Sequence, residues 1–250
     1  MPEYPRSQFA FEKPARLVVW LIAINVLLWF AFAVLVNSVG SREVGDAYQA
    51  LWLDPAKVLP GGYAWQLLTY SWLHDLGHIT HVLFNALALY FLGNPLAKRW
   101  GTKTFLKFYL LSGLIAGVFS VLIGVTIGWR FNAPIVGASG AIFGLVTAYA
   151  LLFPNAQFLL FFVLPLRARY LLWLSLGIDL MLFLAAPAYN IAIHTHVGGA
   201  LGGWLLITGN WHPKVFGPRL KTLFAGRRNR TLRVVDGGRS RPGSDRDLLH

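Results

Sequence analysis

The chain has 250 residues, 56% of them hydrophobic and 13% charged, which excludes an ordinary soluble domain and points to several membrane-crossing segments. It has no cysteine, which excludes disulfides, thiolate metal sites and a cysteine nucleophile. The formal charge is +12, with ten of the 22 Lys and Arg beyond residue 210 and no nucleic-acid-binding motif beside them; this points to a solvated cytoplasmic tail that touches anionic lipid head groups, and away from nucleic acid.

In chain order, residues 1–16 are a short polar lead-in. An apolar run follows without an Ala-x-Ala exit, so it is predicted to be a retained span and not a cleaved signal. Six segments are long and apolar enough to cross about 30 Å of hydrocarbon: 17–36, 79–96, 105–127, 135–153, 170–186 and 191–208. The fold class predicted is all-α, a polytopic membrane protein with six transmembrane helices over 17–209. A basic tail fills 210–250. The connection 37–78 carries Trp52, Tyr63, Trp65, Tyr70 and Trp72, an aromatic density that suits the head-group region. The run 158–166 is too short to span and contains Pro165, so it is predicted to be an interfacial hairpin.

Positive charges fix an expected orientation. Arg6, Lys13, Arg16, Lys98, Arg99, Lys103, Lys107, Arg167 and Arg169 fall on the side of the tail, against Arg42, Lys57 and Arg130 on the other. By the positive-inside rule both termini are cytoplasmic. The expected location is the plasma (inner) membrane of a bacterium.

That orientation places the polar residues. Spans two, four and six all start at the extracytoplasmic side. His81 and Asn85 lie near the start of span two, Ser139 near the start of span four and His196 near the start of span six. His81 and Asn85 are four apart, so they share a helix face. Gly140 and Gly144 make a small-residue face beside Ser139, and Gly199 and Gly203 continue a stripe from His196. Such glycines, with Gly137, let helices pack closely around a site. A serine hydroxyl is a weak nucleophile until a base takes its proton; His196 is the predicted base for Ser139. Oxyanion donors are expected from the backbone N–H of Ser139, from His81 and from Asn85. No cofactor or metal is implied.

The stretches G-x-S-G-x-x-x-G at 137–144, H-x-x-G-x-x-x-G at 196–203 and H-x-x-x-N at 81–85, in this order on spans four, six and two, resemble the rhomboid family of intramembrane serine proteases. The resemblance covers residues 17–209. It implies a six-helix rhomboid-like bundle that cleaves transmembrane segments of membrane proteins near the extracytoplasmic face. It implies a Ser139–His196 dyad without a third acid, and His81 and Asn85 near the oxyanion. It also implies a partly submerged loop before span two. Two positions depart from the pattern of many relatives: Trp65-Gln66 stands for Trp-Arg, and Phe143 stands where some carry Tyr. A phenyl ring at 143 can still pack on His196 but offers no hydroxyl.

Other readings are weaker. A catalytically inactive rhomboid-like protein that binds transmembrane clients is the alternative, yet such proteins typically lose the Ser or the His. His74-Asp75-Leu76-Gly77-His78 offers paired histidines for a metalloprotease, but lacks the Glu between them and carries a helix-weakening Gly. A transporter would show repeats and midplane charges. His74, His78 and His194 are expected to be interfacial or capping residues, and Asn25 to bond between helices. Asp179 is the only acid inside a predicted span; it either pairs with a polar group nearby or marks a water-accessible pocket.

Overall fold

The computed structural model describes residues 13–40, 42–160, 164–185 and 192–209. The first part of the N-terminal segment, the tail at 210–250 and its lipid contact lie outside the described residues. Helix α1 (Arg16–Val39) begins beyond Pro14 and ends at Gly40, whose φ of 57° needs no Cβ. Three short helices follow, α2 (Arg42–Ala50), α3 (Pro55–Gly61) and α4 (Gln66–Thr69), with a 3₁₀ turn at Tyr70–Trp72. Then come α5 (Ile79–Trp100), α6 (Thr102–Ile127), α7 (Ser139–Leu152), strands β1 (Gln157–Leu160) and β2 (Leu164–Arg167), α8 (Ala168–Ala185) and α9 (Ile193–Thr208). The strands pair antiparallel with Gln157 opposite Arg167, which is the predicted hairpin at 158–166.

Four of the described helices, α1, α5, α6 and α8, are long and apolar enough to cross a membrane. The other two predicted spans are shorter as helices. At 1.5 Å per residue, the 14 residues of α7 reach about 21 Å and the 16 of α9 about 24 Å. Hydropathy counted residues 135–138 into span four, but Ile135 pairs with Leu53 in a β-bridge and Gly137 has a φ of 130°. Neither is helical.

Helix α7 is the centre of the described helices. Every residue from Gly140 to Tyr149 is buried, and α5, α6, α8 and α9 all pack against it. A helix apolar on all sides belongs in such a position. Glycines bring its neighbours close. A Cβ added to Gly199 would lie 2.0 Å from the carbonyl oxygen of Gly140, and one on Gly203 2.5 Å from that of Gly144. On the α6 side, Ala116 and Ser112 fill the space over Gly140 and Gly144. Ser120 Oγ and Thr195 Oγ1 share a hydrogen bond of 2.7 Å that ties α6 to α9.

Residues 42–78 form a folded cap that is partly internal. Tyr70 and Gln66 are fully buried, whereas Trp65 is exposed. Tyr70 donates its hydroxyl hydrogen to Gly113 O on α6 at 2.7 Å. Gln66 accepts from the Asp54 N–H at 2.9 Å and donates to Ala50 O at 3.2 Å. A neutral amide thus holds the loop at the position of the Trp-Arg departure. Asn25, expected to bond between helices, donates to Leu21 O within α1 at 2.8 Å and also interacts with the Tyr109 hydroxyl on α6.

His74 and His194 are not interfacial or capping residues; both are buried. His74 packs edge-on against His81 and accepts the Tyr48 hydroxyl hydrogen at its carbonyl. Neither of its ring nitrogens has a hydrogen-bond partner among the described residues, so the ring is held by packing. Burial, helped by His81, pushes the His74 imidazole down to about 3.

Two outcomes follow for stability. Gly199→Ala places a methyl against backbone that cannot give way, so it should cost about 1–3 kcal/mol or more; a melting temperature in detergent equal to that of the parent protein would contradict this packing. His74 binds protons less readily in the folded chain than in the unfolded one. Its contribution is therefore complete above pH 6.5 and is lost as pH falls toward 3. Stability should fall over that window by on the order of a few kcal/mol, read out as a lower melting temperature. His74→Leu should flatten the drop, and an unchanged acid profile in the variant would assign it to other groups.

Candidate active site

The cap sets the segment that enters α7. Leu53 and Ile135 exchange backbone hydrogen bonds of 3.0 and 2.8 Å, and the Gly137 N–H donates to Tyr70 O at 3.0 Å. Gly137 is not a helix-packing glycine. It lies in the turn before α7, where a φ of 130° excludes other residues and a Cβ would sit 2.8 Å from His81 Nε2. Ser139 follows as the first residue of α7. At that position its own N–H and the next ones have no partner one turn back.

His196 lies in the first turn of α9. Its Nε2 is 2.8 Å from Ser139 Oγ. Its Nδ1 is 2.6 Å from Asp179 Oδ2, on α8. A carboxylate acceptor at Nδ1 calls for the hydrogen on that nitrogen and leaves Nε2 to accept from the serine hydroxyl. The Phe143 ring stacks on the imidazole with centroids 4.3 Å apart and planes 11° from parallel. The family resemblance implies no third acid, yet here a carboxylate stands beside His196, brought in because α8 packs on both α7 and α9. Sequence spacing could not reveal it, since Asp179 belongs to none of the three motifs. The signal available was its being the only acid in an apolar segment.

His81 lies in the first turn of α5, beside Gly137. The Asp75 N–H points to its Nδ1 at 3.4 Å, which leaves the hydrogen on Nε2, the nitrogen near Gly137. Asp75 is held in turn by the Gly77 N–H and by His78 Nδ1, each at 2.8 Å. Burial raises the Asp75 carboxyl, but these bonds outweigh it and hold it below the usual range. Asn85 is buried one turn further along α5. One of its amide hydrogens is bonded to His81 O at 2.9 Å, so a single N–H remains for any ligand.

The paired histidines of the 74–78 stretch do not converge. His74 is fully buried, His78 is exposed, and α5 starts only at Ile79. His194 faces the ring of Phe131 at 5.3 Å, on a different face of α9 from His196. Among the described residues no cluster of three or more His, Asp or Glu is arranged to hold a metal.

The family model of the rhomboid domain matches residues 61–212. The chain is 29% identical to the rhomboid protease GluP of Bacillus subtilis over 205 residues, 80% of this chain but 36% of GluP. It is 30% identical to the putative rhomboid protease YdcA of the same organism over 202 residues, 78% of this chain and 89% of YdcA. It is 26% identical to the rhomboid protease AarA of Providencia stuartii over 240 residues, 80% of this chain and 77% of AarA. The matched region contains the cap from residue 61 onward together with α5 to α9 and all the polar residues gathered at Gly137. On this match, carried by 152 of its 250 residues (212 − 61 + 1), the chain belongs to the rhomboid family, and it is an integral membrane protein.

Proposed function

We propose that this protein is an intramembrane serine protease that cleaves transmembrane segments of other membrane proteins. The observation that carries the reading is the 2.8 Å contact between Ser139 Oγ and His196 Nε2, with the imidazole clamped by Phe143 and Asp179. The names of GluP and AarA as rhomboid proteases agree with it. Here α7 and α9 join the four longer helices as the fourth and sixth members of a six-helix bundle. The termini are cytoplasmic and the site lies toward the extracytoplasmic face, as the charge distribution suggests.

In this mechanism Ser139 Oγ attacks the carbonyl carbon of the scissile bond while its proton moves to His196 Nε2. The carbonyl π pair moves onto oxygen. The Ser139 N–H at the start of α7 and His81 Nε2–H would receive that oxyanion. The C–N bond then breaks, and Nε2 returns the proton to the leaving nitrogen. Water repeats the sequence on the acyl-enzyme, with His196 again as base, and releases the new carboxyl end.

A helical substrate hides its carbonyl carbons, so the cut requires local unwinding. Backbone groups freed in lipid cost several kcal/mol each. The preferred site is a small residue close to the extracytoplasmic boundary, followed by Gly, Pro or polar residues that loosen the helix.

The test is cleavage of a single-span substrate by purified protein, with fragment masses locating the cut. Ser139→Ala and His196→Ala should each reduce cleavage to background, and the double variant should be no worse than either. Turnover by well-folded Ser139→Ala at the parent rate would exclude the serine mechanism. An inactive parent protein that still captures the substrate would favour a client-binding role.

His81 and Asn85 should differ. His81→Ala should lower kcat by about 10²–10³, the usual cost of an oxyanion donor. Asn85→Ala should cost less, since half of its amide already bonds to the helix. Equal kcat for the parent and both variants would remove the α5 side chains from the mechanism.

A further inference from the structure

We propose that Asp179 is a positioning residue that sets the tautomer and ring orientation of His196, so that the site works as an Asp–His–Ser line; the inference rests on the proposed Ser139–His196 chemistry. Asp179 stands in α8, where the other residues from 176 to 185 are all apolar. An acid there is costly unless it has a partner and a task. Among the described residues it forms no ion pair with Lys or Arg, and its partner is the His196 ring at 2.6 Å. Both side chains are largely buried, at 14% and 13% exposure.

The geometry uses both ring nitrogens in series. Asp179 Oδ2 accepts from Nδ1, and Nε2 faces Ser139 Oγ at 2.8 Å. The ring is held edge-on by Asp179 and by Ser139 and across its face by Phe143. Without the carboxylate, Nδ1 loses its acceptor, and the neutral ring can place its hydrogen on Nε2. That tautomer cannot take the serine proton. During attack the Ser139 proton moves to Nε2 as the Oγ–C bond forms. The Nδ1–H stays on nitrogen, and Asp179 stays ionised and faces the new imidazolium charge. Three helices contribute: α7 the hydroxyl, α9 the ring and α8 the acid. The other ionisable groups near His196 are His81 on α5 and His194 on α9 itself. The ionisable residues of α6, Lys103, Lys107 and Tyr109, lie in its first turns, away from Thr195 and its Ser120 partner.

The experiment compares the full-length parent with Asp179→Asn, Asp179→Ala and Asp179→Glu, beside Ser139→Ala and His196→Ala. It reads kcat and KM on a single-span substrate, and the ¹⁵N resonances of histidine-labelled protein in micelles. The His196 signals are identified by their loss in His196→Ala. Expected are an Nδ1–H tautomer in the parent, and a shift toward Nε2–H in the Asn and Ala variants. These should lose about 10²–10⁴ in kcat with little change in KM, and Asp179→Glu should recover part of the loss. Parental kcat in Asp179→Asn with inactive Ser139→Ala and His196→Ala would overturn this inference alone. Full activity in Ser139→Ala would overturn it together with the proposed protease mechanism. An Nε2–H tautomer in the parent protein would overturn it whether or not any variant folds.

Discussion

The arrangement depends on backbone touching backbone between α7 and α9. Gly199 lies over the Gly140 carbonyl and Gly203 over that of Gly144, at distances no side chain tolerates. Helices in lipid gain little from hydrophobic burial against each other, so close van der Waals packing carries association. The consequence for the site is geometric. Serine reaches only as far as its Oγ, and an imidazole on a neighbouring helix meets it at 2.8 Å because the helices have come this near. Bulk at Gly199 or Gly203 would separate hydroxyl from ring before it disturbed either residue directly, whereas bulk at Gly140 or Gly144 would press first on Ala116 and Ser112 of α6.

A second constraint acts on the approach to α7. The turn before Ser139 has backbone donors and acceptors that need partners in an apolar setting. The cap supplies them: Leu53 for Ile135 and Tyr70 for Gly137. Tyr70 is anchored to α6 through Gly113, and Gln66 holds the cap chain at Ala50 and Asp54. The stretch between the first two long helices thus sets the position of a residue more than sixty places further along. His81 enters the same corner, with its tautomer set by the Asp75 N–H. The two shorter helices, α7 and α9, start at this polar corner, and their polar N-terminal ends meet there.

Much of this was legible in the sequence. Hydropathy marked the apolar segments, and four of them are helices of membrane-crossing length. The hairpin at 158–166 followed from length and Pro165. Glycine spacing marked α7 and α9 as partners, because a helix places residues three and four apart on one face whatever surrounds it. The same periodicity put His81 and Asn85 on one side of α5. Phe143, four residues after Ser139, was legible as a ring for His196, and the rings do stack.

What only the tertiary structure decided involves residues whose meaning comes from a neighbour distant in the chain. Asp179 is an isolated acid in sequence and gains a partner only when α8 packs on α9. Gly137 reads as one more small residue, yet its φ of 130° and the nearness of His81 make it a turn residue that no helix pattern could disclose. His74 and His194 read as polar and interfacial, but both are inside, since burial depends on what folds over a ring and not on the ring. The extents of α7 and α9 were also undetermined, because hydropathy sums transfer energies and is blind to the hydrogen bonds that take residues such as Ile135 into a β-bridge. Local composition and period therefore determined which segments are helical and which faces are small. Long-range contacts, which no local window contains, decided which polar atoms meet.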